Sequence, residues 1–166
     1  MKRQKQVISL LLHALLMTTV YVFQGVIFPF LRLNGLVPLL LPLVCTGIAV
    51  RQGTTAGGIS GLFAGMLCDV SFNESVGLFM LLLTLFGLVV GLLADTVFTR
   101  GFMTYFFCSA VVLAAASIVQ MFPLLFFARV APSPLFSTAL GQTVYSLVFV
   151  VPLWFFVRSL GRITTD

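Results

Sequence analysis

Apolar residues fill this chain in long runs. The polar positions that interrupt them gather in short clusters at Phe30 to Asn34, Arg51 to Thr54, Phe72 to Ser75, Asp95 to Gly101 and Arg129 to Pro134. A hydrocarbon core of about 30 Å asks for about 20 apolar residues per helix. The pattern therefore predicts six spans, at residues 7–29, 35–50, 54–71, 76–94, 102–128 and 135–157. The expected fold is an all-α integral membrane protein, a six-transmembrane-helix bundle forming a single membrane domain over residues 1–166. No polar stretch between the runs is long enough to fold separately.

Two of the spans are unusual. The second is short and carries Pro38 and Pro42, which predict a kink or tilt at its outer end, because proline removes a donor and clashes with the preceding turn. The third is rich in glycine and carries Thr54, Thr55 and Ser60, which lower helix propensity and hydrophobicity together, so it is expected to depend on its neighbours. The first follows the basic start MKRQKQ, as a secretory signal would. Its apolar stretch is longer than a signal's and ends in Phe28, Pro29 and Phe30 without a small-x-small site, which reads as a retained anchor.

Within the third span, Gly53, Gly57, Gly61, Gly65 and Asp69 recur every four residues. Positions four apart lie about 40° from one another on a helix, so they form one narrow stripe that is bare until its carboxylate. Helices in lipid gain nothing by burying apolar surface against each other, and such stripes let them pack closely instead. Close packing inside one bundle is the plain meaning of the stripe, and docking of a partner helix is the sharper one. The fourth span repeats the step with Gly87, Gly91 and Asp95, and its Gly77, Thr84 and Gly91 recur every seven residues. Small residues also mark the fifth helix at Ser109, Ala110, Ala114 and Ser117, and the sixth at Ser137 and Gly141, followed by Tyr145.

Composition agrees with a membrane setting: 60% of residues are hydrophobic, 8% are charged, 18 are Phe, and mean hydropathy is +1.19. The net charge of +5 is unevenly placed. With the amino terminus in the cytoplasm, Lys2, Arg3, Lys5, Arg51, Arg100, Arg158 and Arg162 fall inside and only Arg32 and Arg129 outside, which predicts that both termini are cytoplasmic. Topogenesis and contact with anionic membrane lipids account for that basicity. No basic and aromatic surface suggests nucleic acid.

Candidate chemistry is sparse. Cys45, Cys68 and Cys108 lie in three different spans without CxxC or Cys/His spacing, so neither a disulfide framework nor a metal site is expected. His13 and Gln24 return to nearly the same face of the first helix, where an interhelical hydrogen bond is favoured over a proton relay. Asp69 and Asp95 invite comparison with a two-aspartate peptidase, but the topology puts them at opposite ends of their helices, too far apart to share a water. No P-loop, HExxH, GxSxG or DxD pattern occurs, and no cofactor is expected. Trp154, Tyr105 and the phenylalanines near span ends fit an interfacial aromatic belt.

From Pro38 to Asp95 the chain runs PLLLPLV to AVRQG, then GGISGLFAGMLCD, a short turn, and VGLFMLLLTLFGLVVGLLAD. This order and spacing resembles the core of the bacterial rod shape-determining protein MreD family. Arg51, Gly53, Gly61, Gly65, Asp69, Gly77, Leu78, Gly87 and Gly91 fall on the family's pattern. Leu88 stands where members often have tyrosine, and the turn SFNES is more polar than is usual.

The resemblance implies a non-enzymatic component of the peptidoglycan elongation machinery. Its implied partners are an MreC-like protein, the actin-like MreB filament, a SEDS glycosyltransferase and a penicillin-binding transpeptidase, in the bacterial inner membrane. It also implies a fold resembling the S component of energy-coupling-factor vitamin transporters, which keeps a second class open. A solute binder would need convergent polar side chains near its outer end, for which Asp69, Asn73, Glu74, Gln24, Gln120 and Gln142 are available.

Overall fold

The computed structural model describes residues 2–27, 38–72, 77–96, 101–126 and 132–165. They form α1 (Lys2–Ile27), α2 (Leu40–Gln52), α3 (Thr54–Phe72), α4 (Leu78–Thr96), α5 (Phe102–Phe126), α6 (Pro132–Val148) and α7 (Val150–Thr165), with no strand among the described residues. Leu78–Thr96 and Phe102–Gln120 are each long and apolar enough to cross a membrane, and Ser137–Val148 with Val150–Ser159 qualifies as a bent pair. Leu11–Val26 and Leu40–Gln52 are apolar but shorter.

Helix α2 is the centre of the bundle. Every residue from Leu40 to Val50 is buried, as a helix apolar on all sides requires, and α1, α3, α4, α5 and α7 surround it. Within Leu40–Gln52 the prolines do not interrupt the helix, and the rest of the outer end expected to kink or tilt, residues 35–37, lies outside the described residues. Pro38 precedes the helix and Pro42 lies in its first turn, where a missing N–H costs no intrahelical bond, so the two prolines start α2 cleanly.

Starting a helix in a buried place leaves N–H groups to satisfy, and two neighbours supply acceptors. Leu39 N donates to Ser146 Oγ of α6 at 3.0 Å, and Leu40 N to Gln24 Oε1 of α1 at 3.3 Å. At the other end of α2, Gln52 Nε2 meets His13 Nε2 at 2.8 Å. His13 and Gln24 do share a face of α1, and that face clasps both ends of the antiparallel α2.

The sixth expected span is two helices, not one. α6 and α7 meet at Phe149 with a bend of 44°. Pro152 explains the break, since its ring has no proton for the Val148 carbonyl four residues earlier and would clash with it. Phe149 N turns back to Ser146 O at 3.0 Å instead, and the ladder resumes with Leu153 N to Phe149 O at 3.1 Å. The packed face of α6 is also rotated from the expected one. Ala139, Gln142 and Ser146 are buried, while Ser137 is exposed and Gly141 and Tyr145 are half-buried.

The aromatic belt needs a similar correction at two positions. Tyr105 is fully buried, donates its hydroxyl to Leu43 O at 3.2 Å and stacks on Trp154 at 5.2 Å between centroids. Gly47 leaves the room for that ring. Trp154 is itself buried, with the Arg51 guanidinium 5.9 Å above its ring. These rings fasten α5 and α7 to α2.

Candidate functional site

Among the described residues α3 and α4 share the most extensive helix–helix interface, and the glycine stripe lies in it. A Cβ on Gly61 would collide with the Leu83 carbonyl, and one on Gly57 with the Gly87 carbonyl. On Gly65 it would strike the backbone at Met80; on Gly91 it would stand 2.5 Å from Thr54 Cα. Backbone rests directly on backbone. This is the approach at which Cα–H···O contacts form between helices, each worth about 0.5–1 kcal/mol. Gly57 also faces Ala49 Cβ, so the same position admits α2.

The interface has a local two-fold order. A shift of 26 residues carries Gly61, Gly65 and Asp69 onto Gly87, Gly91 and Asp95. It likewise exchanges the contact of Gly61 with Leu83 for that of Gly87 with Gly57, and that of Gly65 with Met80 for that of Gly91 with Thr54. Two antiparallel helices with one spacing of small residues dock through equivalent halves.

Each half ends in a carboxylate that caps the other helix. Asp69, late in α3, accepts from Phe79 N at 3.1 Å and Met80 N at 3.0 Å in the first turn of α4. Asp95, late in α4, accepts from Thr54 N and Thr54 Oγ1, both at 3.0 Å, where α3 begins. A carboxylate here satisfies otherwise unpaired donors and faces the positive end of a helix dipole. Gly53 completes the second cap. Its φ of +88° suits glycine, and a Cβ would lie 2.6 Å from Asp95 Oδ2.

Of the other stripe residues, Gly77 is exposed at φ +75° with open space where a Cβ would go, so it shapes the entry to α4 and does not pack. Asn73 and Glu74 lie outside the described residues. Asp69 and Asp95 stand about 22 Å apart along α3 at 1.5 Å per residue, so they form no catalytic pair. Among the described residues no three of His, Cys, Asp and Glu gather as a metal site. Cys45 and Cys68 are buried and free, with Cys45 Sγ receiving the Ser60 hydroxyl at 3.8 Å.

The cap by Asp95 is the feature that sequence reasoning missed. Its signal was the shared four-residue step ending in aspartate on both helices, together with Thr54 directly after Gly53.

A helical membrane protein whose core is built on backbone contact and reciprocal carboxylate caps is the class these features define. The sequence profile of the rod shape-determining protein MreD family matches residues 3–164, and the chain belongs to that family. No curated protein and no solved structure matched it. Membership assigns the chain to the determination of rod cell shape.

Proposed function

We propose that the chain is a non-enzymatic scaffold of the elongation machinery, a six-span protein of the bacterial inner membrane with both termini in the cytoplasm. It acts through its helix faces and short loops on an MreC-like protein, and through the assembly on an MreB-like filament, a SEDS glycosyltransferase and a penicillin-binding transpeptidase. The observation that carries this is the family match over residues 3–164. The site supports it, because Asp69 and Asp95 serve helix ends and the glycines serve a backbone seam, which makes the α2–α3–α4 core a rigid platform.

The alternative is the S component of a vitamin transporter. It is less favoured because Asp69 and Gln24, two of the groups available for an outer ligand site, each accept from the N-terminus of a neighbouring helix. Native co-purification with mass spectrometry separates the two. An MreC-like single-span protein and wall-synthesis enzymes are expected to come with the chain, and its depletion is expected to round rod-shaped cells. Recovery of paired ABC-type ATPases with their coupling membrane protein would replace the scaffold with the transporter subunit.

A further inference from the structure

α6 and α7 are held by different neighbours. α7 rests on α2 and α5, with Val150 and Val157 buried, Val157 seated at Gly47 and Trp154 stacked on Tyr105. α6 rests chiefly on α5 and touches α7 little. Between them lies the break at Phe149, where Pro152 withholds an N–H from the ladder and the axis bends by 44°. Helices pivot at such points, because a few residues at an element's end absorb the change in backbone angles.

The residue beside the break also holds the centre of the molecule. Ser146 takes the Phe149 N–H on its carbonyl at 3.0 Å, takes the Leu39 N–H on its hydroxyl at 3.0 Å, and donates that hydroxyl to Gln142 O at 2.8 Å. One residue thus joins the pivot to the start of α2. The α5–α6 seam beyond it is polar and incompletely paired. Ser117 Oγ meets Thr143 Oγ1 at 3.3 Å, and Gln120, three residues on and on the same side of α5, has its Oε1 buried without a hydrogen-bond partner among the described residues. A buried acceptor left unpaired raises the energy of the arrangement that buries it.

We propose that α6 is a hinged arm that swings about Phe149 on an anchored α7, between a position latched by Ser146 to the start of α2 and a position released from it. The short connection at residues 127–131 makes α5 and α6 antiparallel, so Gln120 lies about 14 Å from the level of the pivot and Ser146 about 4.5 Å. A swing of about 12° then parts the seam by about 3 Å at Gln120, the width of a water molecule, and by about 1 Å at Ser146, enough to break its bond to Leu39 N. Each position leaves one buried group wanting: Gln120 Oε1 when latched, Leu39 N when released. Two positions close in energy are the result, and whatever pulls on α6 is felt at the first N–H groups of α2. The device does not depend on which proteins the scaffold holds.

The test is double electron–electron resonance on the full chain in lipid nanodiscs, with Cys45, Cys68 and Cys108 replaced. One spin-label pair, Leu81→Cys with Leu140→Cys, spans α4 and the arm; the reference pair, Leu92→Cys with Phe155→Cys, spans α4 and the anchored α7. All four positions are exposed. The arm pair should show two distances about 3 Å apart, and the reference pair one. Ser146→Ala should raise the released population relative to the latched one by about fivefold, the worth of one hydrogen bond, and Gln120→Leu should lower it by a similar factor. Pro152→Ala, which restores the missing N–H, should leave the arm pair with a single distance. A single arm distance in both the wild-type and S146A chains overturns the hinge, provided the reference pair reports a folded bundle. So do populations that ignore both S146A and Q120L, or a reference pair that splits together with the arm pair.

Discussion

Asp69 and Asp95 occupy equivalent places 26 residues apart, and each accepts hydrogen bonds from the first turn of the helix that carries the other. The α3–α4 pair is therefore closed at both ends by its own side chains. A rigid antiparallel hairpin results, and the rest of the bundle is assembled around α2 and this pair.

Removing a cap exposes its value. Asp69→Ala leaves two first-turn donors of α4 without an acceptor and should cost about 1–2 kcal/mol. For a chain of this size that corresponds to a fall of about 2–8 °C in the melting temperature of the detergent-solubilised protein. Asp69→Asn, which keeps an acceptor oxygen, should lose less. Asp95→Ala should behave like Asp69→Ala, and the double variant should add within about 0.5 kcal/mol because the sites are far apart. An unchanged D69A melting curve would show that water replaces the cap at no cost.

Side chains on the seam should do more damage than side chains beside it. Gly61→Leu and Gly65→Leu drive carbon into the backbone of α4 and are expected to cost at least about 1–3 kcal/mol, the scale of overpacking, and to lower folded yield. Leu62→Ala, at an exposed position, and Gly25→Ala, where a Cβ meets nothing within 4 Å, serve as controls and should stay within about 0.5 kcal/mol of wild type. Equal thermal stability in all four variants would remove the seam from the account.

The single tryptophan offers a spectroscopic check on the α5–α7 contact. Trp154 is 7% exposed and stacked on Tyr105, so brominated phospholipids in proteoliposomes should quench its emission only weakly. Strong quenching by labels at interfacial depth would return Trp154 to an aromatic belt.

Orientation can be read directly. The arginine and lysine asymmetry predicts that a fluorescent protein fused after Asp166 matures in the cytoplasm. A cysteine placed at Ser133, with Cys45, Cys68 and Cys108 replaced, should react with an impermeant reagent in intact spheroplasts. Protection at 133 with labelling near residue 5 would invert the topology.

The stripe from Gly53 to Asp69 was legible because small residues at a fixed step leave no doubt about which face is bare, and Gly87, Gly91 and Asp95 announced the matching half. The pairing was not legible, because an antiparallel register is a relation between helices that no single spacing encodes. Hydropathy averaged across Phe149 and so merged α6 with α7, although Pro152 carried the information for the break. Tyr105 and Trp154 misled for another reason. Their amphipathic rings suit an interface, and only tertiary contact with Leu43 O and Arg51 tells that they turn inward.

Helix α2 carries one more consequence. Its 13 residues rise only about 20 Å, well short of a hydrocarbon core of about 30 Å. In a lipid-facing helix that shortfall is hydrophobic mismatch, relieved by thinning the bilayer or recruiting neighbours. Along its buried length α2 meets other helices, so membrane thickness bears on the outer helices and leaves the core indifferent to it. The same sheath bears on assembly: α2, the shortest of the described helices, gains its full enclosure only once α3 and α4, which follow it in the chain, have packed on it.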